Sequence, residues 1–138
     1  MINVLNTLQA IKADAAQHLP SLLEAQSLPN FAYYELGYPT DQDALFFCVR
    51  FAEQQADNES ETLSFTLHIQ LPGVSEEDAC KYIDGVTAYL HDYFSPLALG
   101  FLNKTYSIDI TDNFRSGAVE IFYGVTMRRI RDDCEGGF

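Results

Sequence analysis

LSFTLHIQLPGVSEEDACKYIDGVTAYLHDYF, residues Leu63 to Phe94, is the stretch on which the reading of this chain turns. Leu63, Phe65, Leu67, Ile69 and Leu71 alternate with Ser64, Thr66, His68 and Gln70, the two-residue period of a strand with one face in a core. Pro72 and Gly73 stop it, because proline has no amide hydrogen and glycine tolerates unusual backbone angles. Ser75 is then placed to cap a helix, with Asp78 in a weaker form of the capping box. Glu76, Glu77 and Asp78 suit the positive end of its dipole. Ala79, Ile83, Val86, Leu90 and Phe94 recur at helical spacing, so about five turns of amphipathic helix are predicted to lie across the odd-numbered face of the strand. Gly85 weakens that helix or marks a close contact, and Ser95 and Pro96 end it.

Outward from this unit, Val4, Leu8, Ile11, Ala15, Leu19 and Leu22 predict an opening amphipathic helix, bent or ended near Pro20. Phe31 to Leu36 reads as a short aromatic strand before the turn at Gly37, Tyr38 and Pro39. Ala44 to Ala52, ALFFCVRFA, is apolar on most of both faces, which predicts a central strand or one covered by another subunit. Its Leu45, Phe47, Val49 and Phe51 share one side. The polar segment EQQADNESET reads as an exposed hairpin loop, making this strand an antiparallel neighbour of the one from Leu63. After an apolar connection from Pro96 to Asn103, Tyr106, Ile108 and Ile110 mark a half-buried strand, and Val119, Ile121, Tyr123, Val125 and Met127 mark a longer one. Gly124 within it signals a bulge or a close approach.

The fold class predicted is α+β: a mainly antiparallel sheet of four to five strands with two helices on one face, in the order helix, two or three strands, helix, two strands. At 138 residues a single domain spanning 1–138 is expected, with 131–138 as a flexible tail. Its 47% hydrophobic content excludes a disordered chain. The opposite sheet face is expected to place Phe46, Cys48 and Phe122 among Arg50, His68, Asp109, Glu120 and Arg128.

The charge balance of 8 basic against 20 acidic residues, net −12, opposes tight nucleic-acid binding. No run reaches bilayer length and the amino terminus lacks the pattern of a secretory signal, so a cytoplasmic protein without a membrane partner is expected. Cys48, Cys80 and Cys134 are widely spaced, without a CxxC pair, and are read as buried thiols. No HExxH, GxSxG, GxGxxG or phosphate-loop pattern is present. The one combination suited to acid–base work is His68 with Asp109 and Glu120, if strand register brings them together. Cys80 sits near a helix start but has no histidine partner in sequence. No enzyme, cofactor or metal is therefore predicted.

Half of the basic residues, Arg115, Arg128, Arg129 and Arg131, lie after position 114, whereas Asp41 to Glu61 holds six carboxylates against Arg50. Such segregation allows head-to-tail pairing of subunits. The expected subunit or partner interface comprises Phe46, Cys48, Arg50, His68, Phe122, Arg115, Arg128, Arg129 and Arg131.

LSFTLHIQLPGVSEEDACKYIDGV and YSIDITDNFRSGAVEIFYGVTM, in this order within a small acidic chain that opens on a helix, resemble the phage tail terminator, or minor tail, proteins of long-tailed phages and related prophages. The resemblance covers most of residues 2–130 in element order. It implies a homo-hexameric ring that caps the tail tube and joins it to the head, with tail-tube and head-connector proteins as partners and no catalytic motif. The closing segment RRIRDDCEGGF departs from that pattern. A second resemblance is to small acidic secretion chaperones that hold an unfolded effector as a dimer; these run helix, three strands, helix, two strands and end in another helix.

Overall fold

The computed structural model describes residues 2–41, 43–111 and 118–130. Helix α1 spans Val4–Ala25, followed by strands β1 (Tyr33–Leu36), β2 (Phe46–Ala56) and β3 (Ser60–Pro72). Helix α2 covers Glu76–Ala88 and passes into a π-helical turn at Tyr89–Tyr93, a 3₁₀ turn at Leu97–Leu99, and strands β4 (Asn103–Thr111) and β5 (Ala118–Ile130). The strands form one five-stranded sheet in the order β1-β2-β3-β5-β4. Only the β1–β2 pair is parallel; the other three pairs are antiparallel. This is the predicted α+β class, with three strands before the second helix.

The odd-numbered face of β3 is core as its alternation requires. Leu63, Phe65, Leu67, Ile69 and Leu71 are buried beside Phe47 and Val49 of β2 and Ile121, Tyr123 and Val125 of β5. Helix α1 contributes Leu8, Ile11, Ala15, Leu19 and Leu23 to the same core. It does not end at Pro20: the helix continues to Ala25. A proline inside a helix removes one backbone hydrogen bond, and here Leu19 and Leu23, both fully buried on either side of it, hold the last turns in place. The Asn3 side chain caps the other end by accepting from the Asn6 amide at 3.0 Å.

Ser75 caps α2, its hydroxyl accepting from the Asp78 amide at 3.2 Å. The expected five continuous α-helical turns are instead an α-helix and a π turn, and the buried stripe includes Tyr82 and Tyr89 while Ile83 is only partly buried. Tyrosines can join a core when the hydroxyl finds a partner. The Tyr82 hydroxyl donates to Pro29 O at 2.7 Å and the Tyr89 hydroxyl to Asp14 Oδ2 at 2.6 Å. Gly85 marks a close contact, since a Cβ there would lie 3.3 Å from Leu23 Cδ2 on α1. At Gly124 the register runs without a bulge, and a Cβ would meet Ser107 Oγ at 3.3 Å.

Strand boundaries extend past those read from the pattern. β2 runs on to Ala56 and β3 begins at Ser60, so most of the expected loop EQQADNESET is strand and the turn is confined to residues 57–59. The Asp57 carboxylate accepts from the amides of Glu59 and Ser60, closing that turn. A register shift between Phe51 and Glu53 breaks the β2 alternation, and Phe51, expected with the core residues, is 54% exposed. Cys48 is buried, whereas Cys80 is exposed on α2, contrary to the reading of buried thiols. Cys134 and the expected tail 131–138 lie outside the described residues.

Candidate interaction surface

Strand register sets which residues share the sheet's second face. Glu35 of β1 opposes Cys48, Cys48 opposes His68, His68 opposes Phe122 and Phe122 opposes Asp109. One row along, Tyr33, Phe46, Gln70, Glu120 and Thr111 follow one another across all five strands. Arg50 lies opposite Thr66, and Arg128 between Thr62 and Asn103. Of the expected interface residues, Phe46, Cys48, Arg50, His68, Phe122 and Arg128 thus share this face. Arg129 does not. It projects to the helix side, where its Nε donates to Glu61 Oε2 at 3.0 Å and the guanidinium lies 5.7 Å from the Phe101 ring. Arg115 and Arg131 lie outside the described residues.

The β1–β3 half of this face is not an open polar surface. Tyr33 stacks on Phe46 at 4.6 Å, and Tyr38 lies over the Arg50 guanidinium at 3.9 Å. The Gln70 side chain donates to the carbonyls of Asp41 and Ala44 at 3.3 and 3.4 Å. These contacts tie the β1–β2 connection across the sheet, and Phe46, Cys48, His68 and Gln70 are all buried. The sequence marked β2 as covered on both sides; the cover over part of it is the chain's own connection.

His68 stacks on Phe122 with ring centroids 4.5 Å apart, and its Nε2 stands 3.5 Å from Glu120 Oε2. Neither ring nitrogen completes a hydrogen bond among the described residues. Burial lowers the affinity of His68 for a proton, Glu120 works against that, and Arg50 adds to the lowering. Burial, with help from Glu35, pushes the Cys48 thiol up to about 11 although Arg50 opposes it. A thiol held protonated in this way is a poor nucleophile at neutral pH. Asp109 lies two strands from His68, beyond Phe122, roughly 10 Å away by the spacing of strands. His68 and Glu120 meet, and Asp109 does not join them. Among the described residues no group of three or more His, Cys, Asp or Glu side chains could hold a metal ion.

The feature that sequence reading missed is the β4 edge. Tyr106, Ile108 and Ile110 carry the alternation of a half-buried strand, yet they are 38%, 43% and 42% exposed. Among the described residues β4 pairs only with β5, and every one of its nine residues except the part-buried Lys104 is exposed. Helix α1 packs at the other end of the sheet, against β1 and β2. Lys104 is turned away from the edge: its Nζ donates to the carbonyls of Leu90 and Phe94, closing the π turn, and burial lowers its proton affinity. A separate cleft of about 280 Å³ opens beside α1 and the π turn, lined by Ala10, Asp14, Tyr93, Phe94 and Leu99 among others.

Among the described residues no helix is long and apolar enough to cross a membrane. No protein-family model matches the chain, and no curated protein matches it. Among solved structures, the chain is similar to the type 4 fimbrial biogenesis protein PilO from Pseudomonas aeruginosa, at 11% identity, over 91% of this chain and 82% of that one, with a TM-score of 0.37. Likeness at that level carries no argument about fold or function.

Proposed function

We propose that this chain is a non-enzymatic structural protein of the tail-terminator kind, a subunit of a hexameric ring that caps a phage tail tube and joins it to the head. The observation that carries this reading is the β4 edge: a nine-residue strand at the end of the sheet, with no second strand partner among the described residues and an exposed apolar stripe. Such an edge is a template for pairing with another chain. The net charge of −12 suits a ring through which DNA passes, since a surface of like sign does not hold the phosphate backbone. The protein is cytoplasmic until it enters a particle, and its partners are other copies of itself, the tail tube and the head connector. Native mass measurement over a range of concentrations, with and without tail tubes, is expected to give six subunits. A strict dimer that copurifies with a larger unfolded client would overturn the ring.

That dimer is the second reading, a small acidic secretion chaperone. The observation favouring it is the three-strand block between α1 and α2, followed by two strands, which is the element order expected of such chaperones. Limited proteolysis of a bound effector, protected only when this chain is present, is the outcome that would select it.

A further inference from the structure

We infer that the subunits of the ring pair edge to edge, β4 of one copy lying antiparallel to β1 of the next; this rests on the ring reading. β4 and β1 are the two ends of the same sheet. β1 runs with β2, β2 against β3, β3 against β5 and β5 against β4, so β4 and β1 point in opposite directions. When one sheet follows another with the same face outward, a β4 edge therefore meets a β1 edge in antiparallel sense.

The two edges match side chain by side chain in one register. Tyr34 and Leu36 stand in the rows of Phe47 and Val49, on the helix side, as Tyr106 and Ile108 stand in the rows of Val125 and Tyr123. Setting Tyr34 opposite Ile108 sets Leu36 opposite Tyr106, so apolar meets apolar. On the other face Glu35 then meets Ser107, and Tyr33 meets Asp109. Moving the pairing by two residues one way puts Glu35 opposite Asp109, and like charges directly opposed in a sheet destabilise it. Moving it the other way puts Leu36 opposite Lys104, whose ammonium is held by the Leu90 and Phe94 carbonyls.

Two further features favour a second copy as the occupant. β4 has few of the devices that protect a sheet edge: it contains no proline, its register with β5 has no bulge, its lysine is turned away, and Asp109 is its one exposed charge. Helix α1 packs against β1, so the pairing brings a neighbour's helix alongside the exposed stripe Tyr106, Ile108 and Ile110. β1 has only four residues. The ladder is correspondingly short, and the ring is expected to be concentration-dependent and firmer on a tail tube.

The test is disulfide trapping in the full chain with Cys80→Ser and Cys134→Ser. Tyr34→Cys combined with Ile108→Cys is expected to give, on mild oxidation at ring-forming concentration, a ladder of covalent multimers ending at six, while either single variant stays monomeric on a denaturing gel. The Tyr34 hydroxyl donates to Asn30 Oδ1, so Leu36→Cys with Tyr106→Cys serves as a second pair should the first fold poorly. Ile108→Lys is expected to weaken assembly at least tenfold while leaving the monomer folded. Hexamers seen by native mass without cross-links in either pair would overturn the strand pairing and leave the ring standing. Covalent dimers from Ile108→Cys alone would show β4 meeting itself and overturn both. Failure to assemble at any concentration, or on tail tubes, would overturn the ring and the pairing with it.

Discussion

β3 and β4 carry the same two-residue alternation and have opposite fates. In β3, Leu63, Phe65, Leu67, Ile69 and Leu71 are buried under α1 and α2. In β4, Tyr106, Ile108 and Ile110 point to the same side of the sheet and are exposed. Alternation reports that a strand has an apolar face; it does not report what covers that face. β3 has neighbours on both sides, β2 and β5, whereas β4 has β5 alone among the described residues. Cover is a property of topology, and an apolar stripe left uncovered at an edge is the part of the sheet available to another chain.

The largest expected effect is at the centre of β3. Leu67→Ala removes a fully buried side chain and is expected to cost about 2–5 kcal/mol, the range for leucine truncation in a core. Denaturant unfolding of the isolated protein measures it. A loss below 1 kcal/mol would break the contrast between the two strands. Next comes Tyr123 on β5, which lies between them. Its hydroxyl donates to Ile83 O at 3.0 Å and sits 2.9 Å from Thr87 Oγ1, and burial pushes its ionisation up to about 12. Tyr123→Phe leaves both partners on α2 without it and is expected to destabilise by about 1–2 kcal/mol, read in the same unfolding experiment.

How much of this was legible in the sequence follows from the kind of interaction involved. The β3–α2 unit was readable because its signals are local: alternation, Pro72, Gly73 and a serine cap within a dozen residues. The pairing of β2 with β3 followed from the short polar connection. Membership of the second face was readable residue by residue, since parity alone assigns Phe46, Cys48, His68 and Phe122 to it. Arg129 could have been separated from Arg128 by the same parity. The rest depends on distant partners. Pro20 stays helical because of what Leu19 and Leu23 pack against, and the segment across β2 is fixed by Gln70 and Arg50. That Asp109 stands apart from His68 required the strand order, which places β5 between β3 and β4.

His68 sharpens the comparison from the other face of β3, through pH. Its affinity for a proton is lowered in the folded state, chiefly by burial, with Glu120 opposing and Arg50 assisting. Below the unfolded value near 6.5 the unfolded chain then binds more protons than the folded one, so stability falls as pH drops through 6.5 and levels off below the depressed folded value. The titratable and charged groups facing the ring are Glu120, Arg50 and Cys48, with Glu35 and Asp109 one strand further on each side. The effect is expected to be smaller than that of Tyr123→Phe. Unfolding curves at pH 7 and pH 5 for the parent and for His68→Phe measure it: the variant keeps the stack on Phe122 and should lose the part of the pH dependence due to this ring. An unchanged difference between the two pH values would assign the dependence to the carboxylates instead.

The smallest expected effect is the most telling for β4. Ile108→Thr keeps a β-branched side chain suited to a strand and removes apolar surface that is already 43% exposed in the single subunit. Solvent already reaches much of that surface, so its loss changes the monomer's stability by no more than about 0.5 kcal/mol. The identical change at Ile69, fully buried one face-step along β3, would place a hydroxyl in the core and cost several times as much. Dilute unfolding measurements on the two variants therefore separate an edge stripe from a core stripe of the same sequence pattern. A large loss at Ile108 in a strictly monomeric sample would mean that its own subunit depends on the stripe, and the argument that another chain covers β4 would fall.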